Sequence, residues 1–114
     1  MYNKTHDFMM RDKLRGNGEK LKDGFVRVAA LTPKIKVADC DYNTERIIEL
    51  IKEASQKKAS LVVFPEMCIT GYTCGDLFLQ ETLLESAKRS LIKICNESLK
   101  YKNMLIFAGL PFEY

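Results

Sequence analysis

A chain of 114 residues with 46% hydrophobic content can bury one modest core, so a single small globular unit is expected. The formal net charge is only +3, of which residues 1–24 carry +2 (six Lys or Arg against four Asp or Glu) and the remainder +1. Neither part is a basic surface interleaved with aromatics, so nucleic acid is excluded as an expected partner.

Residues 1–24 lack hydrophobic periodicity, contain Gly16-Asn17-Gly18, and are expected to form either a loose, disordered extension or an irregular N-terminal arm to a domain spanning 25–114. Residues 25–31, FVRVAAL, read as a strand stopped by Thr32-Pro33. Asp41 or Asn43 then caps a helix over about 43–56, in which Ile47, Ile48, Ile51 and Ala54 recur at helical spacing before Lys57-Lys58 ends it. A second strand over 61–64 is apolar on both faces, which suits a sheet covered on each side.

The stretch FPEMCITGY, residues 64–72, ends that strand abruptly, and a loop over 73–76 follows. Leu84, Ala87, Leu91, Ile94 and Cys95 then mark one face of a helix over about 80–99. Residues 104–108 form a third apolar strand closed by Gly109-Leu110-Pro111. The order β-α-β-α-β predicts an α/β fold with parallel strands, right-handed crossovers and both helices on one face of the sheet.

Cys40, Cys68, Cys74 and Cys95, with His6 as the single histidine, lack the spacing of a zinc site, so no metal is expected and each thiol reads as packing. There is no signal-peptide pattern and no apolar run approaching ~18 residues, so neither export nor a membrane partner is expected. A cytoplasmic location with reduced thiols follows as the expectation.

One carboxylate stands out by position. Ligands in open α/β sheets collect beyond the carboxyl ends of the strands, and Glu66 stands at such an end. Pro65 fixes its own φ and favours an extended Phe64, so the chain leaves the strand in one defined direction. A general base needs that placement, and burial or a nearby cation would tune its proton affinity. The plainer alternative is a Glu that caps a helix or pairs with a surface Lys.

The segments VRVAALTP (26–33), FPEMCITGY (64–72), GDLF (75–78) and GLP (109–111) together resemble the start of a carbon-nitrogen hydrolase, or nitrilase-superfamily, domain. More narrowly, residues 25–112 are similar to the N-terminal glutaminase domain of the glutamine-dependent NAD synthetases. The resemblance implies that the chain is the N-terminal β-α-β-α-β part of a nitrilase-type α-β-β-α sandwich, whose second sheet comes from later sequence and covers the apolar face left open here. It also implies a catalytic Glu, Lys and Cys that hydrolyse the side-chain amide of glutamine, the ammonia then amidating nicotinic acid adenine dinucleotide at an ATP-dependent synthetase domain. Of that set the Glu falls on Glu66, and Tyr72 matches the tyrosine that lines the glutamine pocket.

The family's catalytic Lys and Cys come after the strand that ends here at Gly109-Leu110-Pro111, so this chain is expected to be inactive alone. Lys34 reads as a solvated loop charge, and Cys68 and Cys74 as spectator thiols. No glycine-rich phosphate loop is present; no cofactor is expected in this chain, with ATP and magnesium belonging to the synthetase domain. Glutamine is the implied substrate and a homo-oligomer the implied state of the whole enzyme. Two alternatives stay open: part of another nitrilase-superfamily amidase, and a non-catalytic α/β interaction module in which Glu66 is a turn residue.

Overall fold

In the computed structural model the described residues are 4–11, 25–75, 77 and 80–111. Six elements follow in chain order: β1 (Lys4–Arg11), β2 (Phe25–Thr32), α1 (Cys40–Gln56), β3 (Leu61–Val63), α2 (Glu81–Ser98) and β4 (Leu105–Phe107). They build one four-stranded sheet in the order β1-β2-β3-β4. Strands β2, β3 and β4 are parallel, as the alternation of strands and helices requires.

Within the segment expected to be an extension, Lys4–Arg11 forms the strand β1. Its backbone runs antiparallel to β2, from Lys4 opposite Thr32 to Arg11 opposite Phe25. An edge strand needs only its backbone groups to pair, and the mixed sequence KTHDFMMR carries no period-2 signal by which to recognise it. Gly16-Asn17-Gly18 lies outside the described residues.

Both helices cover one face of the sheet and pack against each other. Ile47, Leu50, Ile51 and Ala54 of α1 join Leu83, Ala87 and Ile94 of α2 over Ala29, Leu31 and Val62 of the strands. Each large aliphatic side chain buried there contributes about 1.5–3 kcal/mol. The buried stripe of α2 runs Leu83, Ala87, Ser90, Ile94. Cys95, expected on the buried face, falls outside that stripe and is exposed.

Among the described residues nothing covers the opposite face. Register places Val28, Leu61 and Leu105 in one row and Ala30, Val63 and Phe107 in the next. Leu105 is 59% and Phe107 52% exposed, whereas Val62, whose side chain projects from the helix-covered face, is fully buried. Among the described residues the middle strand is therefore covered on its helix side, and its other face is the one expected to be left open here. Among the described residues no helix is long and apolar enough to cross a membrane.

α1 begins earlier than expected. Its cap is Asp39, whose Oδ1 accepts the Tyr42 amide at 3.1 Å, so Asn43 lies one turn inside the helix and is released for another task. The helix ends at Lys57-Lys58 as the sequence suggests. Lys58 adopts a left-handed conformation with φ 59. Its amide donates to Ser55 O at 2.9 Å and that of Ala59 to Ala54 O at 3.0 Å, which together form a Schellman closure.

Candidate functional site

The site grows from the end of β3. The Phe64 amide donates to Phe107 O at 2.9 Å and continues the parallel ladder by one bond. Pro65 has no amide to extend it, and the chain turns. Met67, with φ 56, takes a left-handed conformation that is costly for a non-glycine residue. Gly71, with φ 87, closes the turn, its amide donating to Met67 O at 2.7 Å.

Three neighbours hold this turn. The end of β4 supports its start, with the Ile69 amide donating to Gly109 O at 3.4 Å and the Cys68 thiol to the same oxygen at 3.7 Å. The loop between β2 and α1 supports its end, with the Ala38 amide donating to Thr70 O at 2.8 Å. Asn43, fully buried, joins these parts from below: its Nδ2 donates to Ile69 O and to Lys36 O, both at 2.8 Å, while its Oδ1 accepts the Lys36 amide at 2.7 Å. The sequence shows Asn43 only as a candidate cap. Its placement four residues after the true cap, facing inward at the position preceding Thr44 and Ile47, is the signal that could have found it.

Glu66 lies immediately beyond the carboxyl end of β3 and is exposed. Among the described residues its carboxylate has neither a hydrogen bond nor an ion pair, so it neither caps a described helix nor pairs with a described lysine. Tyr72 follows Gly71 and is 56% exposed. The structure thus brings both residues to the same turn, Glu66 at its entry and Tyr72 at its exit. A separate shallow cleft of about 160 Å³ lies between the Ala38 loop and the start of α2, lined by Leu77, Gln80, Thr82, Leu83 and Ser86, and neither Glu66 nor Tyr72 lines it.

The thiols near the turn are not prepared to act as nucleophiles. Cys40, Cys68 and Cys74 are buried. Burial, reinforced by the carboxylate of Asp41, pushes the Cys40 thiol up to about 11, and burial raises that of Cys68. Cys74 directs its Sγ to Thr70 O at 3.2 Å and so braces the same turn. Lys34 is exposed on the loop after β2. Among the described residues no group of three or more His, Cys, Asp or Glu gathers to hold a metal ion.

This geometry has relatives. Residues 27–114 match the carbon-nitrogen hydrolase family. The chain is 32% identical over 91 residues to the glutamine-dependent NAD(+) synthetase of Mycobacterium tuberculosis, which covers 80% of this chain and 13% of that protein. It is 38% identical over 73 residues to the enzyme of the same name from Dictyostelium discoideum, covering 64% of this chain and 10% of that one. The crystal structure of a glutamine-dependent NAD(+) synthetase from Cytophaga hutchinsonii superposes with a TM-score of 0.71 at 28% identity, over 78% of this chain and 15% of that one. The chain therefore spans a small part of the length of these relatives, and by the family match that covers most of its residues it belongs to the carbon-nitrogen hydrolases.

Proposed function

We propose that this chain forms the first part of a glutamine amidohydrolase domain in a glutamine-dependent NAD synthetase, and that Glu66 is its general base. The observation that carries the reading is the Glu66 turn itself. A carboxylate with no hydrogen bond or ion pair among the described residues is held at the carboxyl end of a parallel strand by a backbone turn braced from both sides. The relatives named above all carry glutamine dependence in their names, which supports glutamine as the substrate.

In this reading Glu66 takes the proton of a cysteine thiol supplied by the remainder of the domain, and the thiolate attacks the side-chain amide carbon of glutamine. The tetrahedral intermediate collapses when Glu66 returns the proton to the leaving nitrogen, so ammonia departs and a thioester remains. Glu66 then takes a proton from water, which attacks the thioester and frees glutamate and the thiol. Tyr72, at the exit of the same turn, forms part of the wall against which glutamine lies. The reading assigns no residue of this chain to ATP or magnesium.

The test uses the whole protein and its Glu66→Gln variant, assayed for NAD synthesis with glutamine and with ammonia as nitrogen source. Glutamine-driven synthesis should fall by roughly 10²–10⁴, the usual contribution of a general base. Ammonia-driven synthesis should be unchanged. Equal loss with both nitrogen sources would show that Glu66 serves structure, and full retention with glutamine would remove it from catalysis.

A further inference from the structure

We infer that Asn43 is a positioning residue that fixes the Tyr72 end of the Glu66 turn independently of the Glu66 end; the inference rests on the glutaminase reading only for its effect on glutamine. A side-chain amide with no exposed surface must satisfy its donors and acceptor internally, and Asn43 does so with three bonds of 2.7–2.8 Å. Two of them lock the loop at Lys36. The third reaches Ile69 O, three residues before Tyr72.

The neighbouring bond completes the clamp. The loop that Asn43 locks at Lys36 also delivers the Ala38 amide to Thr70 O at 2.8 Å, so consecutive carbonyls of the turn, at 69 and 70, are tied to one rigid unit. The Glu66 end instead packs against the backbone of Gly109, just past β4, where a Cβ would stand 2.9 Å from the Glu66 Cα, and the two supports meet at Ile69, whose amide donates to Gly109 O while its carbonyl accepts from Asn43. Before Ile69 the turn rests on Gly109, and after it on the loop that Asn43 locks, so the later part can be loosened while the earlier part stays supported. Removing the Asn43 amide should move Tyr72 and leave Glu66 where it is.

Asn43→Asp keeps the size and the acceptor but removes both donors and sets a carboxylate against two carbonyl oxygens. In the whole protein, hydrogen exchange at the Ala38 and Gly71 amides should rise about tenfold or more, with the amides of α1 beyond Ile47 and of α2 still protected. The KM for glutamine should rise about tenfold while kcat stays within about threefold, because the pocket wall shifts and the base does not. Unchanged exchange at Ala38 and Gly71 would overturn the inference, as would a fall in kcat with KM unchanged. If Asn43→Asp opens both helices, Asn43→Ser, which lacks the amide donor but adds no charge, is read in the same way. Loosening confined to the turn supports the inference, and loosening across the helices overturns it. The exchange measurement does not depend on activity, so a failure of the glutaminase reading, seen as no glutamine hydrolysis by the unmodified protein, is distinguished from a failure of the clamp.

Discussion

Gly109 and Glu66 approach each other so closely that a side chain at 109 has no room. A Cβ built there would stand 2.9 Å from the Glu66 Cα and 2.6 Å from the Met67 amide nitrogen, both backbone atoms that cannot swing aside. Glycine at 109 is thus a matter of contact between the end of β4 and the turn that carries the candidate base.

Gly109→Ala should displace the entry of the turn. Overpacking of this kind costs about 1–3 kcal/mol, and the displaced group is Glu66 rather than a spectator. In the whole protein we expect the thermal midpoint to fall and kcat with glutamine to drop about tenfold or more, with ammonia-driven synthesis retained. An alanine variant that hydrolyses glutamine at the original rate would show that the close approach does not position Glu66.

A second expectation concerns the end of α1. Lys58 holds a φ of 59 in a Schellman closure, a position that glycine adopts without strain and an L-residue with a Cβ adopts at a cost of roughly 1–2 kcal/mol. Glycine also gains freedom in the unfolded chain, which offsets part of the relief. Lys58→Gly should still stabilise the domain, by up to ~1 kcal/mol, read as a higher denaturant midpoint with an unchanged slope. A lower midpoint would mean that the lysine side chain contributes more than its backbone costs.

The third expectation is alkaline. The Cys40 thiol is pushed from about 9 up to about 11, first by burial and then by Asp41. Between those values the folded protein keeps a proton that the unfolded chain has lost, so unfolding releases a proton and stability falls as pH rises through that window. Cys68, raised by burial, acts in the same sense. Below about pH 9 neither effect operates. Cys40→Ala should therefore flatten the decline of stability between pH 9 and 11 by up to ~1.4 kcal/mol per pH unit, measured by denaturant unfolding at several pH values. The same decline in both proteins would show that Cys40 does not titrate there.

How much of this was legible in the sequence depends on what each feature rests on. The three parallel strands and two helices rest on hydrophobic period, which Ala29, Leu31, Ile47, Ile51, Val62 and Ala87 write plainly. Glu66 could be found because Pro65 and the strand end mark its place. β1 could not, because an edge strand is held through its backbone and KTHDFMMR has no alternation to declare it. Cys95 was misplaced by one helical position: the four apolar residues from Leu91 to Cys95, interrupted only by Lys93, leave the stripe ambiguous until Leu83 and Ser90 fix it. Asn43 was visible only as a cap candidate, since its three bonds join segments 7 and 26 residues away. The apolar pattern of β3 does not say which layer covers each face, and among the described residues only the helix side is covered, with Val63 38% exposed on the other.

The last expectation joins the thiols to the chemistry: the 114-residue chain alone should release no ammonia from glutamine. A cysteine nucleophile acts as its thiolate and needs both access and a depressed pKa. Cys68 and Cys40 have neither, because burial raises both and their exposures are 2% and 3%. Cys74 is 5% exposed and spends its thiol hydrogen on Thr70 O. Cys95 is exposed, but it belongs to α2 and not to the turn that holds Glu66. A base without its nucleophile gives essentially nothing, since members of such a set act as a unit. Iodoacetamide should label Cys95 well before the other three, and ammonia release should stay at the buffer blank before and after labelling. Release above the blank that is abolished by Cys68→Ala or Cys74→Ala would place the nucleophile within this chain and overturn the assignment of Glu66 as a base awaiting a thiol from the rest of the domain.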